Sequence, residues 1–155
     1  LTTIAVRKGA LATDSRVTSE DGLSPETTKK AWISQKHKAI FACAGDLANV
    51  NAAAKMVEAK RKLPWDAPTA WAHRDMPDLD DSIIIVLRKD GRMFVIEAQG
   101  WYESESPFYA VGSGAMAALA AMKMGASAQR AVKIAIELDH MSGPPVVVFK
   151  TSDIR

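Results

Sequence analysis

The sequence predicts an α+β domain built on antiparallel strands, and three observations predict it. Residues 1–18 form two short runs of small and β-branched residues around Lys8-Gly9, the pattern of a β-hairpin. Ser82 to Arg88 is a continuous apolar run of strand length, followed by Lys89-Asp90-Gly91 and a returning run at Arg92–Glu97. Three other stretches, Leu47–Leu63, Ala115–Met124 and Ala126–Leu138, are rich in Ala and carry helical spacing.

Composition narrows the class. The chain has 155 residues, the size of one domain, so 1–155 is read as a single unit. Nearly half the residues are apolar, enough for a core. A net charge of +2 with no Lys/Arg block argues against a nucleic-acid partner. The single cysteine, Cys43, excludes an internal disulfide and suits a reducing compartment. No apolar stretch approaches the ~20 residues of a membrane span. No basic-then-apolar leader opens the sequence, and the expectation is a cytoplasmic protein.

In chain order, the first hairpin comes with an argument about register. For Thr2 and Asp14 to share a face, the loop must have an odd number of residues. The expectation is therefore a three-residue loop, Lys8-Gly9-Ala10, pairing Ile4 with Asp14 and giving Gly9 a positive φ. Residues 19–28 are polar, with Gly22 and Pro25, and read as a loop. Lys29–Ser34 and Ala39–Asp46 read as two strands joined by the polar turn Gln35–Lys38. The helix from Leu47 has Asp46 as its N-cap and stops before Pro64. Residues 64–81 carry three prolines and read as irregular, with Trp65 and Trp71 closing the edge of the core.

After the Asp-Gly hairpin, residues 99–106 are polar and read as a loop. Phe108–Val111 is a strand leading into Gly112-Ser113-Gly114. Two helices follow, separated by Gly125, the second starting near Ser127, with Met116, Met122 and Met124 read as core filler. Asp139-His140-Met141-Ser142-Gly143 is a loop, and Pro144–Lys150 is a last strand.

Several polar residues stand out against this frame. Each has a plain reading: Lys30 as a solvated strand-end lysine, Asp14 as a turn acid near Arg16, Ser113 as a helix N-cap. Taken together and in order they carry a resemblance. The opening Thr2-Thr3, then Asp14-Ser15-Arg16-Val17-Thr18, the pair Lys29-Lys30, the segment Ala42-Cys43-Ala44-Gly45, Gly112-Ser113-Gly114, and Asp139 followed by Ser142-Gly143 resemble proteasome β-type subunits and the HslV peptidase. The likeness spans nearly the whole chain, with a gap at 64–81 where those families carry a further helix. The hairpin is also about four residues shorter than theirs.

The resemblance implies the four-layer αββα sandwich of N-terminal-nucleophile (Ntn) hydrolases, two antiparallel sheets face to face with helices outside. It implies a self-compartmentalising threonine-type endopeptidase that cleaves unfolded polypeptide substrates inside a homo-oligomeric ring fed by an AAA+ ATPase unfoldase. Carried over residue by residue, Thr2 is the nucleophile and Lys30 lowers the pKa of its hydroxyl or passes its proton. Asp14 orients Lys30, and Ser113, Asp139 and Ser142 tie down the Thr2 end. The backbone N–H of Ala42 faces the oxyanion, where the families usually have Gly. No cofactor is implied for catalysis. His37, His73 and His140 lack metal-ligand spacing, while a structural monovalent or divalent cation near Met141 follows by analogy.

One departure conditions the chemistry. The mechanism needs Thr2 with a free α-amine, and Leu1 precedes it. If Leu1 is lost, the amine can serve as a base near neutral pH. If it stays, the alternative is a catalytically silent ring or scaffold protein. A third reading is an amidohydrolase of the same fold acting on a small amide.

Overall fold

The first two strands, β1 (Thr3–Arg7) and β2 (Ala10–Thr13), turn through Lys8-Gly9 alone. Ile4 pairs with Thr13 and Arg7 with Ala10, which corrects the expected three-residue loop. Both loop residues have positive φ, 48° at Lys8 and 73° at Gly9, as a two-residue hairpin loop requires to match the strand twist. Gly9 thus has the expected conformation in a shorter turn. The parity argument fails because it assumed that Asp14 is still part of an extended strand. Strand β2 ends at Thr13, and although the Asp14 N–H still donates to the Thr3 carbonyl, the returning Thr3 N–H goes to the Asp14 carboxylate. The computed structural model containing this hairpin describes residues 2–19, 22–66, 81–97 and 100–155. Leu1, Trp71 and His73 lie outside the described residues, as does most of the stretch expected to be irregular at 64–81.

Strand β1 is an inner strand. It pairs with β2 on one side and with β10 (Phe108–Gly112) on the other, and β2 pairs in turn with β11 (Val147–Lys150). All these pairings are antiparallel. A second antiparallel sheet follows chain order: β5 (Ala31–Ser34), β6 (Ala39–Ala44), β7 (Ile83–Arg88), β8 (Met93–Glu97) and β9 (Gly100–Ser104).

Strands β9 and β4 (Gly22–Thr27) occupy stretches expected to be loops, and Trp101 of β9 is buried. Strand β4 forms a hairpin with β3 (Arg16–Ser19), most of which was expected to belong to the opening hairpin, with a register shift between Arg16 and Thr18. Polar strands held mainly by backbone pairing have no apolar alternation to reveal them.

Helix α1 (Leu47–Ala59) starts where Asp46 accepts a hydrogen bond from the Ala48 N–H at 2.7 Å. It ends four residues short of Leu63. Lys60 turns to an extended conformation, which lets Leu63 and Trp65 fold back onto the core. Helix α2 (Ala115–Lys123) and helix α3 (Ala128–Leu138) are joined through Gly125, and the Ser127 hydroxyl caps α3 by accepting from the Arg130 N–H. Of the three methionines expected in the core only Met122 is buried; Met116 and Met124 are exposed.

Three apolar clusters fix how these elements sit. Ile4, Val6 and Leu11 of the first sheet meet Ile40, Ile85, Leu87 and Val95 of the second. The opposite face of the first sheet, at Ala5 and Ala12, packs on Ala118, Met122, Ala131 and Val132 of α2 and α3. The opposite face of the second sheet, at Phe41, Ile84, Val86 and Phe94, packs on Val50, Ala53 and Val57 of α1. Alanine on both sides of the first sheet's helix contact allows close approach. The largest gain, about 1.5–3 kcal/mol per fully buried large side chain, comes from residues such as Phe41, Phe94 and Ile85.

Candidate active site

Asp14 is fully buried and accepts four hydrogen bonds. Its Oδ1 takes the Thr3 N–H at 3.0 Å and the Lys30 ammonium at 2.9 Å. Its Oδ2 takes the Arg16 N–H at 3.2 Å and the Gly143 N–H at 3.0 Å. Lys30, at the entry to β5, is only 5% exposed. Such a pair is stable in an apolar interior only when the remaining lone pairs are also engaged, and here three main-chain donors engage them. Burial pulls the Lys30 pKa below the ordinary lysine value; Asp14 and Asp139 oppose that shift, and Arg16 adds to it.

A second polar cluster lies at the end of α3. Asp139 Oδ2 accepts from the Ser113 hydroxyl at 2.6 Å and the Ser142 hydroxyl at 2.7 Å, and its Oδ1 accepts from the Met141 N–H. Burial pushes the Asp139 pKa up, but these three donors outweigh it and hold the carboxyl below its usual range. Because the Ser142 proton goes to Asp139, the 2.7 Å contact between Ser142 Oγ and Thr3 Oγ is donated by Thr3. Ser113 Oγ also stands 3.5 Å from the Thr2 carbonyl oxygen.

The glycines of Gly112-Ser113-Gly114 have a steric reason. Gly112 has φ 98°, and a Cβ there would collide with the Thr2 carbonyl. A Cβ at Gly114 would collide with the Thr3 hydroxyl. The motif is what lets β10 and the start of α2 press against both threonines.

The two threonines then part. The Thr3 side chain is committed to Ser142, whereas Thr2 lines a cavity of ≈190 Å³ together with Lys30, Arg16, Thr28, Cys43 and Gly45. Burial pushes the Cys43 thiol up to about 12, so its thiolate is not competent near neutral pH.

The structure therefore joins Asp14 to Lys30 directly, links Ser113 and Ser142 through Asp139, and sets Ser142 on the Thr3 hydroxyl and Ser113 beside the Thr2 carbonyl. It does not bring Ala42 to the cavity. Ala42 is fully buried in the middle of β6, between Ala31 and Ile85, with its side chain in the cluster between the sheets. The adjacent Cys43 N–H donates to the Lys30 carbonyl, so by strand alternation the Ala42 N–H points the other way, into the ladder with β7. The Ala42 assignment is corrected on that ground. At the same end of β6, Gly45 lines the cavity at φ 137°, and its N–H makes no backbone hydrogen bond among the described residues. The signal in the sequence was Gly45 itself, standing before the Asp46 cap, where amide donors converge on a helix start.

Three participants were not singled out from sequence: the Thr3 hydroxyl, the Arg16 side chain and the Gly143 N–H. Among the described residues no group of three or more His, Cys, Asp or Glu side chains is placed to hold a metal ion. The Asp139 carboxylate, nearest to Met141, is already engaged by three donors. No described helix is long and apolar enough to cross a membrane.

No protein-family model matches the chain, and no curated protein matches it in sequence. Solved structures match its fold. BPH from Thiobacillus denitrificans is 20% identical over 96% of this chain and 95% of its own, with a TM-score of 0.68. The same protein in complex with epoxomicin gives 0.71, at 20% identity over 96% of both chains. Anbu, an ancestral beta-subunit from Yersinia bercovieri, gives 0.70 at 17% identity, over 97% of this chain and 81% of its own. This chain shares their fold. The shared arrangement is a mixed α/β one with antiparallel sheets, and it extends over nearly all of the chain.

Proposed function

We propose that this chain is a proteasome-like threonine peptidase with Thr2 as nucleophile, active once Leu1 has been removed. The observation that carries the reading is that Thr2 and Lys30 line one cavity while Asp14 holds the Lys30 ammonium from behind. The neighbouring threonine is excluded by its bond to Ser142. The three apolar clusters support reading the layers as helix, sheet, sheet, helix, the Ntn-hydrolase sandwich.

In this reading the Thr2 Oγ–H proton passes to the free α-amine or through Lys30, and Oγ bonds to the peptide carbonyl carbon. The carbonyl electrons move to oxygen, and the Gly45 N–H meets that oxyanion in place of Ala42. A donor of this type contributes about 3 kcal/mol. As the C–N bond breaks, the departing amine takes up the proton, leaving an ester on Thr2. Water then adds to the ester carbonyl, the bond between Oγ and the acyl carbon breaks as Oγ takes back a proton, and the carboxylic acid product leaves with Thr2 restored. Lys30, with its lowered pKa, favours the deprotonated hydroxyl by charge and exchanges protons more readily than an exposed lysine. The homo-oligomeric ring, the unfolded polypeptide substrates and a separate ATPase belong to the same proposal, through the resemblance.

The test combines the intact mass of the mature chain with cleavage of a fluorogenic peptide panel. Cleavage by a chain beginning at Thr2, and its loss in Thr2→Ala, is the expected result. Unchanged cleavage in Thr2→Ala, or a retained Leu1 in a fully active protein, would overturn the reading. BPH has been seen in complex with epoxomicin. That compound is expected to bind this chain too, and to lose binding in Thr2→Ala.

A further inference from the structure

Arg16 touches the site in three ways. Its N–H donates to Asp14 Oδ2. Its guanidinium Nη1 donates to the His140 carbonyl at 2.7 Å, holding the loop after α3. Gly143, in that loop, has no room for a Cβ because the Arg16 guanidinium occupies the space. The Gly143 N–H in turn donates to Asp14 Oδ2, and the Gly143 carbonyl accepts from the Ser15 N–H. The side chain therefore clamps the loop that carries Ser142 against the carboxylate that carries Lys30.

We propose that Arg16 is a positioning residue that pins the His140–Gly143 loop onto Asp14 and so keeps the Asp14–Lys30 pair aligned with Thr2. The argument is one of donors and distance. Among the described residues, Gly143 supplies one of the two bonds to Asp14 Oδ2, and the other comes from Arg16's own backbone. If the loop lifts, a fully buried carboxylate loses a main-chain donor, and the carboxylate that orients the Lys30 ammonium is held less firmly. Lysine at position 16 keeps the charge but loses the planar fork, so it restores the clamp only in part. The reaction this alignment serves is the one proposed above.

Three variants test it: Arg16→Met, Arg16→Lys and Gly143→Ala, the last leaving the charge while displacing the guanidinium. The first readout, amide exchange at Gly143 against Ile4 and Ala5 in β1, needs no turnover. Arg16→Met is expected to speed Gly143 exchange about tenfold with β1 unchanged, as for a local opening. On a fluorogenic peptide, kcat is expected to fall about tenfold with KM within roughly twofold, the mark of an interaction used in the transition state. Arg16→Lys is expected to fall between wild type and Arg16→Met, and Gly143→Ala to reproduce the kcat loss. Unchanged Gly143 exchange in Arg16→Met, or full kcat in either Arg16→Met or Gly143→Ala, would overturn the proposal. Should the wild-type chain cleave no peptide while Gly143 exchange still responds, the functional reading falls and the clamp stands.

Discussion

The Thr3 N–H donates to the same Asp14 oxygen that receives the Lys30 ammonium, at 3.0 Å and 2.9 Å. One carboxylate oxygen thus sets the positions of the residue after the proposed nucleophile and of the cation beside it. Any change at Asp14 moves both.

Breaking that pair from either side should have unequal effects. Asp14→Asn removes the carboxylate that the buried Lys30 ammonium meets at 2.9 Å, and a loss of about 3–5 kcal/mol is expected. Lys30→Met leaves Asp14 with three main-chain donors, and its loss should be clearly smaller. Urea unfolding of the two variants side by side checks the order; equal losses would contradict it.

The threonines should separate activity from stability. Thr2→Ala is expected to abolish peptide cleavage while changing stability by less than about 1 kcal/mol, because among the described residues its hydroxyl makes no hydrogen bond and only its carbonyl is engaged. Thr3→Val leaves the buried Ser142 hydroxyl without its donor and should cost about 1–3 kcal/mol. Thermal melts and peptide assays on both variants test this.

The pH dependence follows from Lys30. Its folded pKa is lowered, so between that value and the ordinary lysine value the unfolded chain binds more protons than the folded one. Stability from this group therefore rises with pH through that window, and the burial penalty is fully present below it. The basic limb of kcat/KM is expected to sit below the ordinary lysine pKa and to vanish in Lys30→Arg. Asp139 has the same sign at lower pH: its folded pKa is also depressed, so its contribution is present above the unfolded carboxylate pKa and lost as pH falls through the folded value. In Ser113→Ala, acid unfolding should begin at a higher pH.

Gly112→Ala should be costly for two reasons, a positive φ and a collision with the Thr2 carbonyl. A loss of about 1–3 kcal/mol is expected, together with loss of cleavage. Gly125→Ala provides the control. Its φ is also positive, but a Cβ there would meet nothing within 4 Å, so it should lose stability without a specific loss of turnover.

Much of this architecture was legible in the sequence. The apolar run at 83–88, the Asp-Gly turn, the Asp46 and Ser127 caps and the Ala-rich helices are local signals, and each appears where its residues place it. Strands β4 and β9 were not legible, because their mostly polar sequences leave no apolar alternation to read. The hairpin register was misjudged because an end-of-strand residue was treated as pleated, when its carboxylate has turned to collect amide protons. The Ala42 assignment failed because a motif fixes order along the chain but not which way an N–H faces within a ladder. Arg16 and Gly143 escaped notice because they meet only through the folded loop.

Strand β1 lies between two others in its sheet, with Thr2 directly at its tip. A reactive group mounted there has no hinge of its own. Heating should therefore inactivate the protein in a single step that coincides with global melting, with no gradual decline at lower temperature of the kind shown by enzymes whose key side chain sits on a wandering loop.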